Sequence, residues 1–243
     1  MGKLSVVGIG PGGYEDMTIR ADRVLTTCEV IVGYHVYVDL VRDRYPDKEF
    51  LTTPMTRETE RCQMALDAAR AGKEVAMVCS GDSGIYGMAG LLYELRGEEA
   101  EPEISVIPGL TAACSGGAIL GAPLTHDFAV ISLSDRLTAW ETIEKRLEAA
   151  AAADLSIVLY NPASRGRPDY LCKACSILLR HLPADRPCGV ARNIGRTGES
   201  GELLTLEQLL NYPADMFCTV FIGNAQTRIV AGRLVTPRGY RHG

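Results

Sequence analysis

The stretch that decides the class of fold is LSVVGIGPGGYEDMTIRADRVLTTCEVIVG, residues 4 to 33. Two short apolar runs flank a segment whose apolar residues recur at helical intervals, which is the pattern of a β-α-β unit. The alternation continues, with further strands predicted at 49–53, 74–80 and 103–109 and helices between them. Such alternation predicts a parallel sheet, and we assign residues 1–109 to an N-terminal α/β domain.

Residues 110–243 are predicted to form a second, less regular α/β domain. It opens with a helix of small residues at 110–121, followed by a strand at 128–134. Thr138 and Glu141 have the spacing of a capping box and predict the start of the next helix. The remaining predicted elements are strands at 156–160, 187–193, 201–205 and 216–224, a helix at 169–182, and a helix opened by Thr205 and Gln208.

The glycines in the first loop have the spacing Gly8-x-Gly10-x-x-Gly13 of a dinucleotide-binding loop. In such a loop the helix begins within the glycines, and an acidic residue about 20 positions further on binds the ribose. Here the helix is predicted only from about Met17, and residues 33–35 are Gly-Tyr-His where the acidic residue is needed. We therefore predict that this loop does not hold a dinucleotide.

Composition narrows the class of protein. The 243 residues are 47% hydrophobic and 23% charged, which is typical of a folded globular chain. The apolar runs are only strand-sized and the N-terminus lacks a signal-peptide pattern, so we expect a cytoplasmic protein that does not contact membranes. A net charge of −5 without a basic run argues against nucleic acid as a partner.

The eight cysteines lie mostly in apolar helices and strands, which predicts reduced thiols packed in the core. Cys172 and Cys175 have C-x-x-C spacing, but they fall with Leu171 and Leu178 on a predicted buried helical stripe. No second pair completes a tetrahedral ligand set. We expect core packing at these positions and no bound metal.

Tight loops follow the predicted strands, where open α/β sheets place their ligands. Their sequences are GIGPGG, CSGDSGIYG, IPGLTAA, LYNPAS and RNIGRTG. Asp82 is the one charge in the second loop, and two roles stay open for it. Its carboxylate either binds a ligand or caps a helix that begins near Ile85.

Arginines cluster on the predicted loops and turns, where their planar guanidinium groups suit carboxylates. The alternative is that they are solvated surface residues. The candidates are Arg57, Arg136, Arg165, Arg167, Arg192 and Arg196.

Five segments in this order resemble the tetrapyrrole (corrin and porphyrin) methyltransferases, which use S-adenosylmethionine. They are VVGIGPGG (6–13), SGDSGIYG (80–87), VIPGLTAACSGGAILGAPLTHD (106–127), LYNPAS (159–164) and FIGNAQT (221–227). The resemblance covers nearly the whole chain, and five ordered motifs are far more specific than one glycine loop.

Within that family, four further segments are most similar to the branch that methylates precorrin-3B or cobalt-factor III at C-17 and contracts the macrocycle in cobalamin synthesis. They lie at 32–41, 131–147, 160–168 and 192–199. Two alternatives stay open. One is a methyltransferase for C-11, C-20 or uroporphyrinogen-III, and the other is a non-catalytic S-adenosylmethionine-binding module.

The resemblance implies two α/β domains with the cofactor in a cleft between them, a homodimer, and a tetrapyrrole trough lined by the first glycine loop. It implies cofactor contacts from Pro11, Gly81, Asp82, Ile85, Thr111, Ala112, Asn161 and Asn193. The chain departs from the family where Ser83 replaces a frequent proline and Asn161 a frequent methionine.

Methyl transfer is an in-line displacement that depends on positioning and desolvation. The carboxylates of a corrin precursor would give partners to Arg57, Arg136, Arg165 and Arg192. Ring contraction needs in addition a proton donor or acceptor. The candidates are His126, Ser132, Asp135 and Tyr86, with Asp127 and Ser134 beside them.

Overall fold

The computed structural model describes residues 2–164 and 166–240. The chain divides into two compact units, the first ending at Thr111 and the second beginning at Ala112. Arg165, one of the predicted substrate-binding arginines, lies outside the described residues. Within the described ranges, none of the helices combines the length and apolar character needed to cross a membrane.

The first unit is a five-stranded sheet in the order β3-β2-β4-β1-β5, with every pairing parallel. This confirms the parallel α/β architecture predicted from the alternating pattern. The strands are β1 (Lys3–Gly8), β2 (Val30–Tyr34), β3 (Glu49–Thr53), β4 (Val75–Cys79) and β5 (Glu103–Ile107). The helices are α1 (Ile19–Thr27), α2 (His35–Asp39), α3 (Glu58–Arg70) and α4 (Ala89–Arg96).

Both faces of this sheet are covered, which explains why its central strands are nearly continuous apolar runs. Successive residues of a strand point to opposite faces. Met77 of β4 packs with Leu66 of α3 on one face. Its neighbour Val78 packs with Leu25 of α1 on the other. All strands run in the same direction, so their carboxyl ends share one edge.

The second unit contains a five-stranded mixed sheet, β10-β9-β11-β8-β7, and a small three-stranded sheet, β12-β13-β6. The strands are β6 (Gly121–Ala122), β7 (Phe128–Ser132), β8 (Ser156–Tyr160), β9 (Pro187–Arg192), β10 (Ser200–Thr205), β11 (Cys218–Ile222), β12 (Arg228–Val230) and β13 (Arg233–Val235). The helices are α5 (Ala112–Leu120), α6 (Trp140–Ala152), α7 (Tyr170–Leu178) and α8 (Leu206–Leu209).

Strands β7, β8 and β9 of the mixed sheet run in the same direction. The pairing of β7 with β8 is parallel, and β8 and β9 are both antiparallel to β11. The residues that follow these three strands therefore lie at one edge of the sheet. Sequence LYNPAS after β8 and sequence RNIGRTG around the end of β9 belong to that edge.

The prediction for the C-x-x-C pair holds for one of its two residues. Cys175 is buried in the core of the second unit, and burial raises the pKa of its thiol to about 12. Cys172 is exposed, so its placement on the buried stripe was wrong. The stripe of α7 runs instead through Leu171, Ala174 and Leu178, and position 172 falls on the solvent side of the helix.

Of the two predicted capping boxes, one is confirmed and the other is wrong. Thr205 caps α8, because its hydroxyl accepts from the Gln208 amide and Gln208 Oε1 accepts from the Thr205 amide. Helix α6 begins one residue later than predicted, with Ala139 at the N-cap and no side-chain cap. Glu141 is then the second helical residue, and a capping box requires the acid or amide at the third.

This difference gives a paired test of stability. Thr205→Ala should lower the free energy of unfolding by about 1 kcal/mol, the usual value of a lost N-cap. Thr138→Ala, which removes a hydroxyl of the same type before a longer helix, should change it by only a few tenths of a kcal/mol. Urea denaturation of both variants measures the difference. Equal losses would show that Thr138 stabilises α6 after all.

Candidate functional site

The carboxyl ends of β1, β4 and β5 in the first unit are joined by close contacts between glycines. Gly10 and Gly81 exchange two backbone hydrogen bonds of 3.1 and 2.7 Å. A Cβ at Gly109 would lie 2.1 Å from the Gly81 carbonyl oxygen, and a Cβ at Gly8 would lie 2.7 Å from the Gly109 nitrogen. No side chain fits at Gly8 or Gly109, so these glycines allow three loops to touch.

This packing accounts for the dinucleotide-like spacing in the first loop. A short 3-10 turn, Tyr14–Asp16, follows the glycines, and α1 begins only at Ile19. Its N-cap is Thr18, whose hydroxyl accepts from the Ala21 amide. The prediction that α1 does not begin at the glycine amides is therefore confirmed. The helix starts at Ile19, slightly later than the predicted Met17.

Asp82 organises the loop after β4. Its Oδ1 accepts from the amides of Gly84 and Ile85 at 2.8 and 3.0 Å, and its Oδ2 accepts from the Gly109 amide at 2.9 Å. The predicted helix near Ile85 is absent, since α4 begins at Ala89, so the helix-cap role was wrong. Asp82 instead stabilises a turn and ties it to the loop after β5.

Ser83 gives a physical reason for one departure from the family pattern. Its side chain is fully buried, and its hydroxyl donates to the carbonyl of Ile107, the last residue of β5, at 3.0 Å. A proline at this position could not make this bond. The loops after β4 and β5 are therefore joined by this bond as well as by the close contact of Gly81 with Gly109 and the bond from the Gly109 amide to Asp82.

Apolar side chains are exposed on these same loops. Ile85 and Tyr86 are 41% and 56% exposed, and Leu110 is 40% exposed. Tyr86 also has a positive φ of 54°, which is uncommon for a bulky residue and is found at binding loops. Pro11 and Thr111, two other predicted cofactor residues, are buried. Exposed apolar groups beside backbone amides fit a ligand that is partly aromatic and partly polar.

In the second unit, Ser132, Asn161 and Asn193 lie at one edge of the sheet. Asn161 Nδ2 donates to Ser132 Oγ at 2.9 Å, and the Ser134 amide donates to the same oxygen at 3.2 Å. Asn161 and Asn193 both have left-handed backbone, with φ of 54° and 51°. Asparagine tolerates that conformation better than methionine does, which explains the second departure from the family pattern.

Ala112 is the first residue of α5 at the start of the second unit. The amide of the next residue, Ala113, donates to Tyr160 Oη at 2.6 Å. Tyr160 ends β8 immediately before Asn161. This bond fixes the start of α5 against the edge that carries Asn161 and Ser132.

Asp135, one of the candidate acids or bases for ring contraction, is held by two side chains. Tyr170 Oη donates to its carboxylate, and Arg167 Nε lies 2.5 Å from its Oδ1. The bond from Tyr170 is the main reason that the pKa of the Asp135 carboxyl is lowered, and it raises the pKa of Tyr170. A carboxylate with a lowered pKa is a weaker base, so the structure favours Asp135 as an anchor for Arg167 and Tyr170.

His126 lies apart from Ser132 and Asp135. It precedes β7, whereas Ser132 ends β7, so roughly 20 Å separates them at the usual rise of a strand. The acid or base for ring contraction is predicted in the segment from His126 to Arg136, and within it His126 and Asp127 lie before β7, whereas Ser132 ends β7 and Asp135 follows it. His126 Nδ1 accepts from the Asp127 amide at 2.8 Å, so the neutral ring carries its proton on Nε2.

The predicted arginines differ in how strongly they are held. Arg57 is exposed and lies 3.6 Å from Glu60, while Arg136 is exposed and has no partner among residues 2–164 and 166–240. Arg192 is paired with the Asp215 carboxylate, and its Nη2 donates to the Pro213 carbonyl at 2.9 Å. Arg192 therefore serves to fix the segment before β11, a role that its sequence neighbours did not indicate.

Comparison with known proteins identifies the family. The model of the tetrapyrrole (corrin/porphyrin) methylases matches residues 3–210. A probable cobalt-factor III C(17)-methyltransferase from Salmonella typhimurium is 47% identical over 98% of this chain and 99% of its own length. A precorrin-3B C(17)-methyltransferase from a Sinorhizobium species is 39% identical over 98% of this chain and 97% of its own. The crystal structure of the methyltransferase CobJ has a TM-score of 0.91 at 36% identity, over 98% of this chain and 100% of that one.

The chain therefore belongs to the tetrapyrrole methylases. It is a methyltransferase of the class that uses S-adenosylmethionine, as the five ordered motifs indicated. The fold confirms the same resemblance, because the CobJ match covers nearly all of the chain.

Proposed function

We propose that this protein transfers the methyl group of S-adenosylmethionine to C-17 of cobalt-factor III or precorrin-3B and contracts the macrocycle. The observation that carries the proposal is the 47% identity, over nearly the full length of both chains, to a relative named for cobalt-factor III. The relative named for precorrin-3B is less similar, at 39%. Cobalt-factor III is therefore the substrate that we propose first.

We propose that S-adenosylmethionine contacts the strand-end loops of each unit. In the first unit the residues are Pro11, Gly81, Asp82, Ile85 and Thr111, and in the second they are Ala112, Asn161 and Asn193. Exposed apolar side chains at Ile85 and Tyr86 support this assignment. Because the Asp82 carboxylate already accepts three amides, its proposed role is to hold the loop in shape.

The sulfonium of S-adenosylmethionine supplies the methyl group, so the protein has only to orient the two reactants and exclude water. Arg57 and Arg136 are proposed to bind substrate carboxylates, because their guanidinium groups are exposed. Ring contraction also requires a proton to move. Ser132 is our first candidate, since its hydroxyl oxygen accepts from Asn161 and from the Ser134 amide. We further propose a cytoplasmic homodimer, as the family resemblance implies.

The direct test is incubation of the purified protein with cobalt-factor III and S-adenosylmethionine carrying a 13C methyl group, under anaerobic conditions. We expect a product heavier by one labelled methyl group, with the label at C-17 by NMR and the spectrum of a contracted ring. Precorrin-3B, offered in parallel, should react more slowly.

Three outcomes would contradict the proposal in different ways. A label at C-11 or C-20 would assign the protein to another member of the family. Binding of S-adenosylmethionine without transfer to any tetrapyrrole would indicate a non-catalytic module. Binding of NAD in place of S-adenosylmethionine would restore the dinucleotide interpretation of the first loop.

A further inference from the structure

Arg61 is a buried cation without an acidic partner. The residue lies in the first turn of α3 and is only 5% exposed. Its Nε donates to Thr53 Oγ1 and its Nη2 to the Pro54 carbonyl, both at 3.0 Å. Its guanidinium lies 5.8 Å from the centre of the Tyr34 ring. Within residues 2–164 and 166–240 Arg61 forms no ion pair, and the hydrogen bonds described for its guanidinium come from Nε and Nη2.

Such an arrangement is unusual on physical grounds. Arginine stays charged at any pH at which proteins fold. A buried charge is costly unless another charge compensates it, and buried arginines are normally paired. The neutral partners of Arg61 satisfy two of its nitrogens but leave the positive charge uncompensated. A site of this kind favours the binding of an anionic group.

Arg61 lies at the edge of the sheet where ligands are expected. Thr53 ends β3 and Tyr34 ends the neighbouring β2. Cys62, the residue after Arg61, lies with its sulfur 4.0 Å from that of Met77 in β4, so this turn of α3 packs on that strand as well. The guanidinium is thus placed at the carboxyl ends of two adjacent strands, β2 and β3.

The surroundings of Arg61 supply flat apolar surfaces beside this charge. Tyr34 contacts His35 and Tyr37 edge-to-face, with ring centres 4.5 and 5.1 Å apart. The loop after β3 carries exposed Met55 and the left-handed Thr56, with φ of 73°. An aromatic group next to one buried cation suits a planar molecule that bears carboxylate side chains.

We propose that Arg61 binds a carboxylate side chain of the tetrapyrrole substrate through the free side of its guanidinium. This inference rests on the proposed function and deepens it, because it names a residue that discriminates the acidic macrocycle from an uncharged one. No bond is made or broken in the step. Arg61 differs from Arg57 and Arg136 in being held in place before the substrate arrives, so less side-chain entropy is lost on binding.

The test compares R61Q, which keeps a hydrogen-bond donor but removes the charge, with R70Q as the matched control. Arg70 lies at the other end of α3 and pairs with Glu99 and Asp67, away from the strand ends. Anaerobic titration of cobalt-factor III, followed by absorbance, should show at least a tenfold loss of affinity in R61Q and no loss in R70Q. Calorimetry with S-adenosylhomocysteine should give wild-type affinity in both, and R61K should recover part of the tetrapyrrole affinity.

The assignment is overturned if R61Q folds and binds cobalt-factor III as tightly as wild type. If R61Q does not fold, amide hydrogen exchange of the wild-type protein tests whether cobalt-factor III binds beside Arg61. Cobalt-factor III should then slow exchange in residues 55–61 while S-adenosylhomocysteine alone does not, and unchanged exchange overturns the assignment. If the wild type neither binds nor methylates cobalt-factor III, both the proposed function and the substrate-binding role of Arg61 are wrong. If it methylates cobalt-factor III while R61Q binds normally, only the role of Arg61 is wrong.

Discussion

Gly109→Ala is expected to lower the free energy of unfolding by about 3 kcal/mol, at the upper end of the usual cost of overpacking. The added Cβ would lie 2.1 Å from the Gly81 carbonyl oxygen and 2.6 Å from the backbone of Gly8. Both neighbours are main chain, so no side chain can move aside. Separating the loops would also break the bond from the Gly109 amide to Asp82. We therefore expect weaker binding of S-adenosylhomocysteine by calorimetry, together with the loss of stability in urea.

Gly90→Ala is the matched control for this substitution. Gly90 lies inside α4, and apart from its chain neighbours and the backbone of its own helix, a Cβ there would meet no atom of the described residues within 4 Å. Alanine is the better helix former, so this variant should be as stable as wild type or up to about 1 kcal/mol more stable. If the two variants proved equally stable, the close contact among the three loops would not be a constraint on the fold.

The pattern of apolar residues predicted the strands and helices of the first unit well, because the features that produce them are visible in short stretches of sequence. A parallel sheet covered on both faces needs continuous apolar strands separated by amphipathic helices, and both features are visible in short windows of sequence. The strand predicted at 49–53 matches β3, and the one predicted at 74–80 contains β4. Gly72 and Gly97, which follow helical segments, have the positive φ that helix ends favour.

The small sheet of the second unit was not predicted, because β6, β12 and β13 are only two or three residues long. Such strands are too short to show a period of two. Their stability comes from pairing residues that are distant in sequence. Leu234 pairs with Gly121, and Thr236 donates to the Pro123 carbonyl.

The roles of charged side chains were the hardest feature to predict. Asp135 is an acid on a loop, as a catalytic base would be, and only the structure shows that Arg167 and Tyr170 hold it. Arg61 belongs to an amphipathic helix and has the appearance of a surface residue in the sequence. In both cases the side chain's partners lie on other helices, strands or loops, and spacing along the sequence cannot predict such contacts.

Methyl transfer and ring contraction should be separable by a substitution at Ser132. Methyl transfer depends on orientation of the reactants, whereas proton transfer by a positioned side chain typically contributes about a hundred- to ten-thousand-fold in rate. Two N–H groups donate to Ser132 Oγ, from Asn161 and from Ser134, and such bonds stabilise the oxygen as it gains negative charge. The hydroxyl is thus arranged to release or relay a proton.

We expect Ser132→Ala to bind S-adenosylmethionine normally and to methylate its substrate, while contraction slows by about a hundredfold or more. The uncontracted, methylated tetrapyrrole should then accumulate and be recognised by its mass and absorption spectrum. Ser176→Ala is the control, because that hydroxyl donates to the Cys172 carbonyl on the exposed side of α7. Contraction at the wild-type rate in Ser132→Ala would leave Ser132 with a structural role. Tyr86 or a carboxylate of the substrate itself would then be the next candidate to carry the proton, since Asp135 is held by Arg167 and Tyr170.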